Sequence, residues 1–309
     1  MTLPPEFALI ARHFRPLAGD GALGLSDDAA VFAPPAGRDL VIAADAMVEG
    51  VHFLPDDPPE TVGRKLLRVN LSDMAAMGAT PFGYLMTLSL PRADDAWIGA
   101  FCAGLAEDQR EYGVRLLGGD TTSTRGPAAL SLTVLGSVAP GAAVTRSGAR
   151  PGDAIWVTGT IGDGALGLAV LTGKLVLPEP HAAFLVGRYR LPQPRLLPIT
   201  GVVHAAMDVS DGLVQDLGHI CRASGCGAEI VAALVPASGA ARAAGDAWLA
   251  RRLTGGDDYE LLLAVPPDVT PPFPATRIGT FTAGAPEVGV LGPDGLPVAL
   301  SSGGWSHFA

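Results

Sequence analysis

Nine aspartates of this 309-residue chain stand where solvated surface groups are not expected. Asp27 and Asp28 precede Ala29-Ala30-Val31, and Asp45 closes the apolar run Leu40–Ala44. Asp73 lies inside Asn70-Leu71-Ser72-Asp73-Met74-Ala75-Ala76, and Asp120 follows Gly118-Gly119. Asp208 and Asp211 bracket Val209-Ser210 ahead of Gly212, and Asp257-Asp258 follow Gly255-Gly256. Buried together, such carboxylates repel one another and stay ionised only beside something cationic. Oxygen donors suit hard divalent ions, and magnesium typically combines one or two carboxylates with substrate phosphates. Glycines next to the acids let the backbone approach phosphate oxygens. Gly118-Gly119-Asp120-Thr121-Thr122 offers main-chain N–H groups, a carboxylate and two hydroxyls in five residues. The chemistry implied is metal-assisted binding of a polyphosphate. The competing reading makes half of these aspartates caps and turn formers.

Composition narrows the setting. With 31 acidic and 21 basic side chains the net charge is −10, which argues against a nucleic-acid binder, because phosphate backbones need a basic stripe. Hydrophobic residues at 48% and charged residues at 17% favour a packed core over disorder or a coiled coil. The three cysteines, Cys102, Cys221 and Cys226, are too few and too scattered for a disulfide framework or a zinc site. No apolar run reaches the roughly 18 residues of a spanning helix. Met1-Thr2-Leu3-Pro4-Pro5-Glu6 lacks a basic segment leading into an apolar one, so a cytoplasmic location away from membranes is expected. Neither the Gly-x-x-x-x-Gly-Lys-Ser/Thr loop nor a protein-kinase glycine loop is present.

The elements that must position these residues alternate. Strands are expected at 39–44, 84–90, 114–117 and 130–138, with helices at 58–76 and from Asp94 or Asp95 to Tyr112. Val62, Leu66, Val69 and Met74 form the inner stripe of the first helix, and Ile98, Phe101 and Leu105 that of the second. After turn residues near 141–152 the alternation resumes. Strands are read at 154–158, 207–209, 228–234, 260–265 and 276–281, and helices at 163–171, 196–206 and 213–224. The fold class is therefore two-domain α/β (α+β), with a boundary near residue 145.

The aspartate blocks also carry a resemblance. Asp27-Asp28-Ala29-Ala30-Val31, Asp45 with Glu49-Gly50-Val51-His52-Phe53, and Asn70–Ala79 resemble the thiamine-monophosphate kinase family. So do Gly118–Thr122, Thr145-Arg146-Ser147-Gly148, Asp208–Leu213 and Gly255–Leu261, in family order over nearly the whole chain. The resemblance implies ATP-dependent phosphorylation of thiamine monophosphate to thiamine diphosphate, with several Mg2+ ions. It implies an aminoimidazole-ribonucleotide synthetase-like fold, with a nucleotide- and metal-binding domain at 1–145 whose sheet pairs across a homodimer, and a second α/β domain at 146–309. By motif position Asp28, Asp45, Asp73, Asp120, Asp208 and Asp211 are implied metal ligands. Tyr112, Gly119, Asp120, Arg146 and Ser210 are implied ATP contacts. His52, Asp257 and Trp305 are implied thiamine monophosphate contacts, Trp305 on the short match Gly304–Phe308. Asp120, Asp208 and Arg146 are implied catalytic residues. Ala43 and Ala44 stand where that family usually carries hydroxyls, and Ser26 where it carries glycine. The alternatives are another ATP-using enzyme of the superfamily or a non-catalytic nucleotide-binding relative. Selenophosphate synthetase would want a cysteine near the N-terminus and the hydrogenase maturation protein one at the C-terminus, and this sequence has neither.

Overall fold

The computed structural model describes residues 5–292, 294–300 and 302–306. Met1–Pro4, and the His307 and Phe308 of the Trp305 match, lie outside these. The chain divides into two compact units, Met1–Met74 with Ala79–Gly141, and Ala75–Gly78 with Ala142–Ala309.

In the first unit a short helix α1 (Pro5–Leu9) and irregular helical turns lead to β1 (Asp39–Val48). Then follow α2 (Pro59–Ala76), β2 (Thr80–Leu90), α3 (Asp95–Tyr112), β3 (Arg115–Ser123) and β4 (Ala129–Val138). The sheet order is β1-β4-β2-β3, with β4 antiparallel to both neighbours and β2 parallel to β3. The α3 crossover makes that parallel pair possible. Local signals set α3: the Asp94 carboxylate accepts from the N–H groups of Ala96 and Trp97, and Gly113 at φ 70° ends the helix. Val62, Leu66, Val69 and Met74 are buried, as are Ile98, Phe101 and Leu105. α2 and α3 approach closely because glycine stands at the contact. A Cβ on Gly104 would meet the Glu60 carbonyl oxygen at 2.0 Å, and one on Gly63 the Phe101 carbonyl oxygen at 2.3 Å. Beside that contact, buried Arg68 holds buried Asp108 through two hydrogen bonds of 2.6 and 2.9 Å.

The second unit contains β5 (Ala154–Val157), α4 (Asp163–Leu171), α5 (His181–Arg190), β6 (Ala205–Asp208), α6 (Leu213–Ser224) and β7 (Gly227–Val231). Two short helices, α7 (Gly239–Ala243) and α8 (Leu249–Thr254), precede β8 (Leu261–Val265), β9 (Thr276–Thr282) and β10 (Val288–Leu291). The six strands run β10-β7-β9-β5-β8-β6. β8 is buried at every position, as its unbroken apolar sequence requires. Leu213, Leu217, Ile220 and Cys221 of α6 pack into the core with Ile155, Val157 and Phe281. The last residues of α2, Ala75 and Ala76, join a second cluster with Ile199, Leu261 and Leu263.

Two expected elements are corrected. Residues 196–204 are not helical, because Pro198 and Gly201 break the stretch and Ala205–Asp208 pairs with β8 instead. The strand expected to stop at Leu117 continues to Ser123, so Gly118–Thr122 is paired sheet against Leu85–Ser89 and not a free loop. The helix α5 was absent from the sequence reading.

Candidate functional site

The first unit offers a cavity of about 480 Å3 whose lining includes Asp27, Asp28, Gly118, Gly119, Asp120 and Phe32. Gly119 is there by necessity, since a Cβ would fall 1.8 Å from the Met86 carbonyl oxygen. The tight approach turns Asp120 onto the exposed face that Thr87 shares. Asp120 Oδ1 accepts from the Thr121 N–H at 2.9 Å. Asp28 and Asp120 are both exposed, so these two carboxylates do not form a buried, self-repelling cluster. Being an edge strand, β3 commits only alternate backbone N–H groups to β2.

Asp45, Asp73, His52 and Tyr112 do not line that cavity. Asp45 lies on β1, the opposite edge strand from Asp120, about 14 Å away at ordinary strand spacing. It has the parity of buried Val41 and Met47, whereas Asp120 has that of exposed Thr87. Its N–H donates to Asn70 Oδ1 at 2.9 Å, anchoring β1 to the α2 turn that carries Asp73. Ala43 shares the Asp45 face and Ala44 the other, so a hydroxyl at 43 alone would stand on the Asp45 side. His52 follows β1 in a turn, where its Nδ1 accepts from the Val48 N–H at 3.0 Å. That bond puts the proton of the neutral ring on Nε2, making it a directed donor. Tyr112 ends α3 with Arg68 5.5 Å above its ring, and burial pushes its hydroxyl above the usual tyrosine range.

In the second unit the singled-out residues gather on one loop. Asp208, buried, ends β6, and Val209–Gly212 then turn into α6. The Asp257 N–H donates to the Ser210 carbonyl at 2.9 Å, and the Trp305 N–H to that of Asp211 at 3.0 Å. Arg146 is exposed, and burial, then the charges of Arg222 and Arg146, lower the His219 pKa against the opposite pull of Asp211. Asp208, Ser210, Asp211, Asp257 and Trp305 thus meet around residues 208–212, while the Arg146 carbonyl accepts from Ser224 Oγ at the end of α6.

Neighbouring acids sort by role. Asp258 is fully buried and accepts from the N–H groups of Gly162 and Gly164 at 2.6 and 3.1 Å, fastening the start of α4. Burial raises its pKa well above the carboxylate range. Its neighbour Asp257 is half-buried at φ 70°, a left-handed backbone that non-glycine residues hold only under constraint. Sequence reasoning passed over Asp216. Its Oδ2 accepts from the N–H groups of Ser210, Asp211 and Gly212 at 3.0, 3.0 and 3.1 Å. Burial, then the charges of Asp208 and Asp211, push its carboxyl up to about 7, against the pull of those N–H groups. An acidic residue in the first turn of α6 was the available signal. Ligand oxygens of Asp211 and Asp216 and a ring nitrogen of His219 lie within 4.8 Å of one another. The carboxylate oxygens of Asp211 and Asp216 are donors that suit a hard cation.

Residues 26–138 match the AIR synthase related protein N-terminal domain, and residues 150–288 the corresponding C-terminal domain. The chain is 44% identical over 322 aligned residues to the thiamine-monophosphate kinase of Escherichia coli K12, covering 98% of each sequence. The crystal structure of thiamine-monophosphate kinase from Stenotrophomonas maltophilia K279a superposes with a TM-score of 0.83 at 39% identity, spanning 95% of this chain and 98% of that one. A structure of AaThiL complexed with AMPPCP and TMP superposes with a TM-score of 0.81 at 31% identity, covering both chains completely.

Proposed function

The chain belongs to the thiamine-monophosphate kinase family, and from that premise we propose that it transfers the γ-phosphoryl group of ATP to the phosphate of thiamine monophosphate, releasing thiamine diphosphate and ADP. The observation that carries the reading is the gathering of Asp208, Ser210, Asp211, Asp257 and Trp305 at the 208–212 loop.

An oxygen of the acceptor phosphate forms the new bond to the γ-phosphorus, and the bridging oxygen leaves with ADP. The second pKa of a phosphate monoester is near 6, so at pH 7 the attacking oxygen is already largely ionised and no general base is required. The obstacle is bringing two anions into line. Asp28, Asp45, Asp73, Asp120, Asp208 and Asp211 would hold Mg2+, at more than one position given the separation of Asp45 from Asp120. When bound there, magnesium would neutralise phosphate oxygens and template the in-line approach. Arg146 adds a fixed cation for the phosphate chain, and Tyr112, Gly119 and Ser210 complete the ATP contacts. Asp257 and Trp305 would give the flat, cationic thiazolium an acidic and an aromatic wall, and His52 is assigned as a further thiamine monophosphate contact. In this assignment residues 1–145 form the nucleotide- and metal-binding domain through Asp28, Asp45, Asp73, Asp120, Tyr112 and Gly119, and residues 146–309 add Arg146, Asp208, Ser210 and Asp211. The test is direct: protein, ATP, Mg2+ and thiamine monophosphate should yield thiamine diphosphate and ADP in equal amounts. ADP release unaffected by omitting thiamine monophosphate would overturn the assignment.

Two further properties belong to the proposal. One is a cytoplasmic location; among the described residues no helix is long and apolar enough to cross a membrane. A homodimer formed through the first-unit sheet is supported by the edge strand β1, which exposes Leu40 and Ile42 at 44% and 62%. An open edge beside exposed apolar side chains invites pairing with a second copy. Sedimentation at micromolar concentration should give a dimer mass for the wild type and a monomer mass for Ile42→Glu. A wild-type monomer would exclude the pairing.

A further inference from the structure

The first turn of α6 makes one set of contacts that the proposed chemistry does not use. Gln215 Nε2 donates to Asp211 Oδ2 at 3.2 Å and to the main-chain carbonyl of Trp305 at 2.6 Å. The Gln215 backbone N–H donates to the Gly303 carbonyl at 3.0 Å, and the Trp305 N–H returns a 3.0 Å bond to the Asp211 carbonyl. The segment 303–305 is therefore stitched at three points to residues 211–215. Gly304 lets it lie flat, because a Cβ there would meet the Gln215 Cβ at 2.6 Å and the Asp211 carbonyl oxygen at 2.8 Å. Both partners of the Gln215 amide nitrogen are acceptors, so the NH2 group must face them and spends its two protons there.

We propose that Gln215 is a positioning residue for the acceptor substrate, joining the wall at Trp305 to the carboxylate loop at Asp211. The inference rests on the assignment of Trp305 to the thiazolium and of Asp211 to the Mg2+ that would meet the phosphates. One amide then fixes the distance between the surface that recognises the cationic ring and the loop that receives the phosphate. The residues assigned to ATP, Tyr112, Gly119, Arg146 and Ser210, are not among the hydrogen-bond partners of Gln215, so ATP binding depends less on that distance. A glutamate at 215 has the same shape but presents an oxygen to two acceptors, turning attraction into repulsion.

The experiment compares wild type, Gln215→Glu and Gln215→Ala in the intact protein by steady-state kinetics and by hydrogen exchange of the 303–305 amides without substrate. In both variants KM for thiamine monophosphate should rise about tenfold or more, with kcat and KM for ATP changed less than about threefold. Exchange at the Trp305 amide should accelerate by about tenfold, more in the Glu variant than in the Ala variant. Unchanged exchange together with an unchanged KM for thiamine monophosphate overturns the proposal. An equal loss in kcat and in both KM values also overturns it, since that is the signature of general structural damage. If the wild type fails to phosphorylate thiamine monophosphate at all, the functional assignment fails. The exchange comparison needs no substrate and then decides the docking role by itself.

Discussion

Asp120→Asn should lower kcat for phosphoryl transfer by roughly 10²- to 10³-fold, the range seen when one preorganised charge-stabilising group is removed from an active site. The substitution exchanges one oxygen for an NH2 group and leaves the side-chain volume almost unchanged. Asp120 is exposed at the cavity wall, and its recorded side-chain contact is the 2.9 Å bond from the neighbouring Thr121 N–H, which the remaining amide oxygen can still accept. The strand beneath it is fixed by pairing with Leu85–Ser89 and by the close approach of Gly119 to Met86, neither of which involves the carboxylate. Fold stability should therefore stay within about 0.5 kcal/mol, as for other surface changes. The lost negative charge weakens the hold on any divalent ion shared with the phosphates, so the Mg2+ concentration for half-maximal rate should rise as kcat falls. Turnover measured across a Mg2+ titration, with a thermal melt beside it, separates the two effects. A variant that turns over like the wild type would remove Asp120 from the catalytic set. One that loses activity only because it unfolds would show that the strand needs the carboxylate.

What the sequence disclosed depended on how local each signal was. α3 and α6 were legible to their last residues because the apolar stripe, the glycine that ends each helix and, for α3, the Asp94 cap are all local signals. Residues 196–206 misled because apolar spacing resembled a helical face, while the decisive facts were Pro198 and the pairing of Ala205–Asp208 with Leu261–Ala264, 53 to 59 residues later in sequence. Gly118–Thr122 looked like a phosphate loop because glycines usually mark turns. Here one of them instead lets β3 run against β2 with no side chain between. The candidate site divides the same way. The aspartate blocks were visible as types and spacings, and their order along the chain carried the family resemblance. Which member of the Asp257-Asp258 pair faces outward was not readable, since that depends on the Gly162 and Gly164 amides nearly 100 residues earlier. Gln215 and Asp216 stayed hidden for a related reason. Each looks like an ordinary polar residue of an amphipathic helix until the 208–212 loop folds back over it.

Asp216 supplies the second large effect. Asp216→Ala removes the acceptor shared by the Ser210, Asp211 and Gly212 N–H groups, and should cost about 3 kcal/mol for the donors left without a partner. In a chain this size that lowers the melting midpoint by roughly 6–12 °C. Activity should fall with it, because the same three residues carry the carboxylate and backbone of the 208–212 loop. Asp216→Asn separates charge from shape. It keeps an acceptor for the loop and resembles the neutral acid, which is the form favoured while the carboxyl sits at about 7. In the unfolded chain the same group ionises near 3.8. Between these limits the folded protein holds a proton that the unfolded chain has released, so folding is favoured less as the pH rises. The stabilising contribution is complete below about pH 4 and gone above about pH 7, changing by about 1.4 kcal/mol per pH unit in between. Asparagine does not titrate. In EDTA, the melting midpoint of the wild type should therefore drop relative to Asp216→Asn as the pH goes from 5 to 8. Mg2+ should narrow that gap at pH 8, because a cation beside Asp208 and Asp211 relieves the crowding that holds the proton on Asp216. A difference between the two proteins that stays constant from pH 5 to 8 would show that Asp216 is ionised throughout, and that its three backbone donors outweigh both its burial and its neighbours' charge.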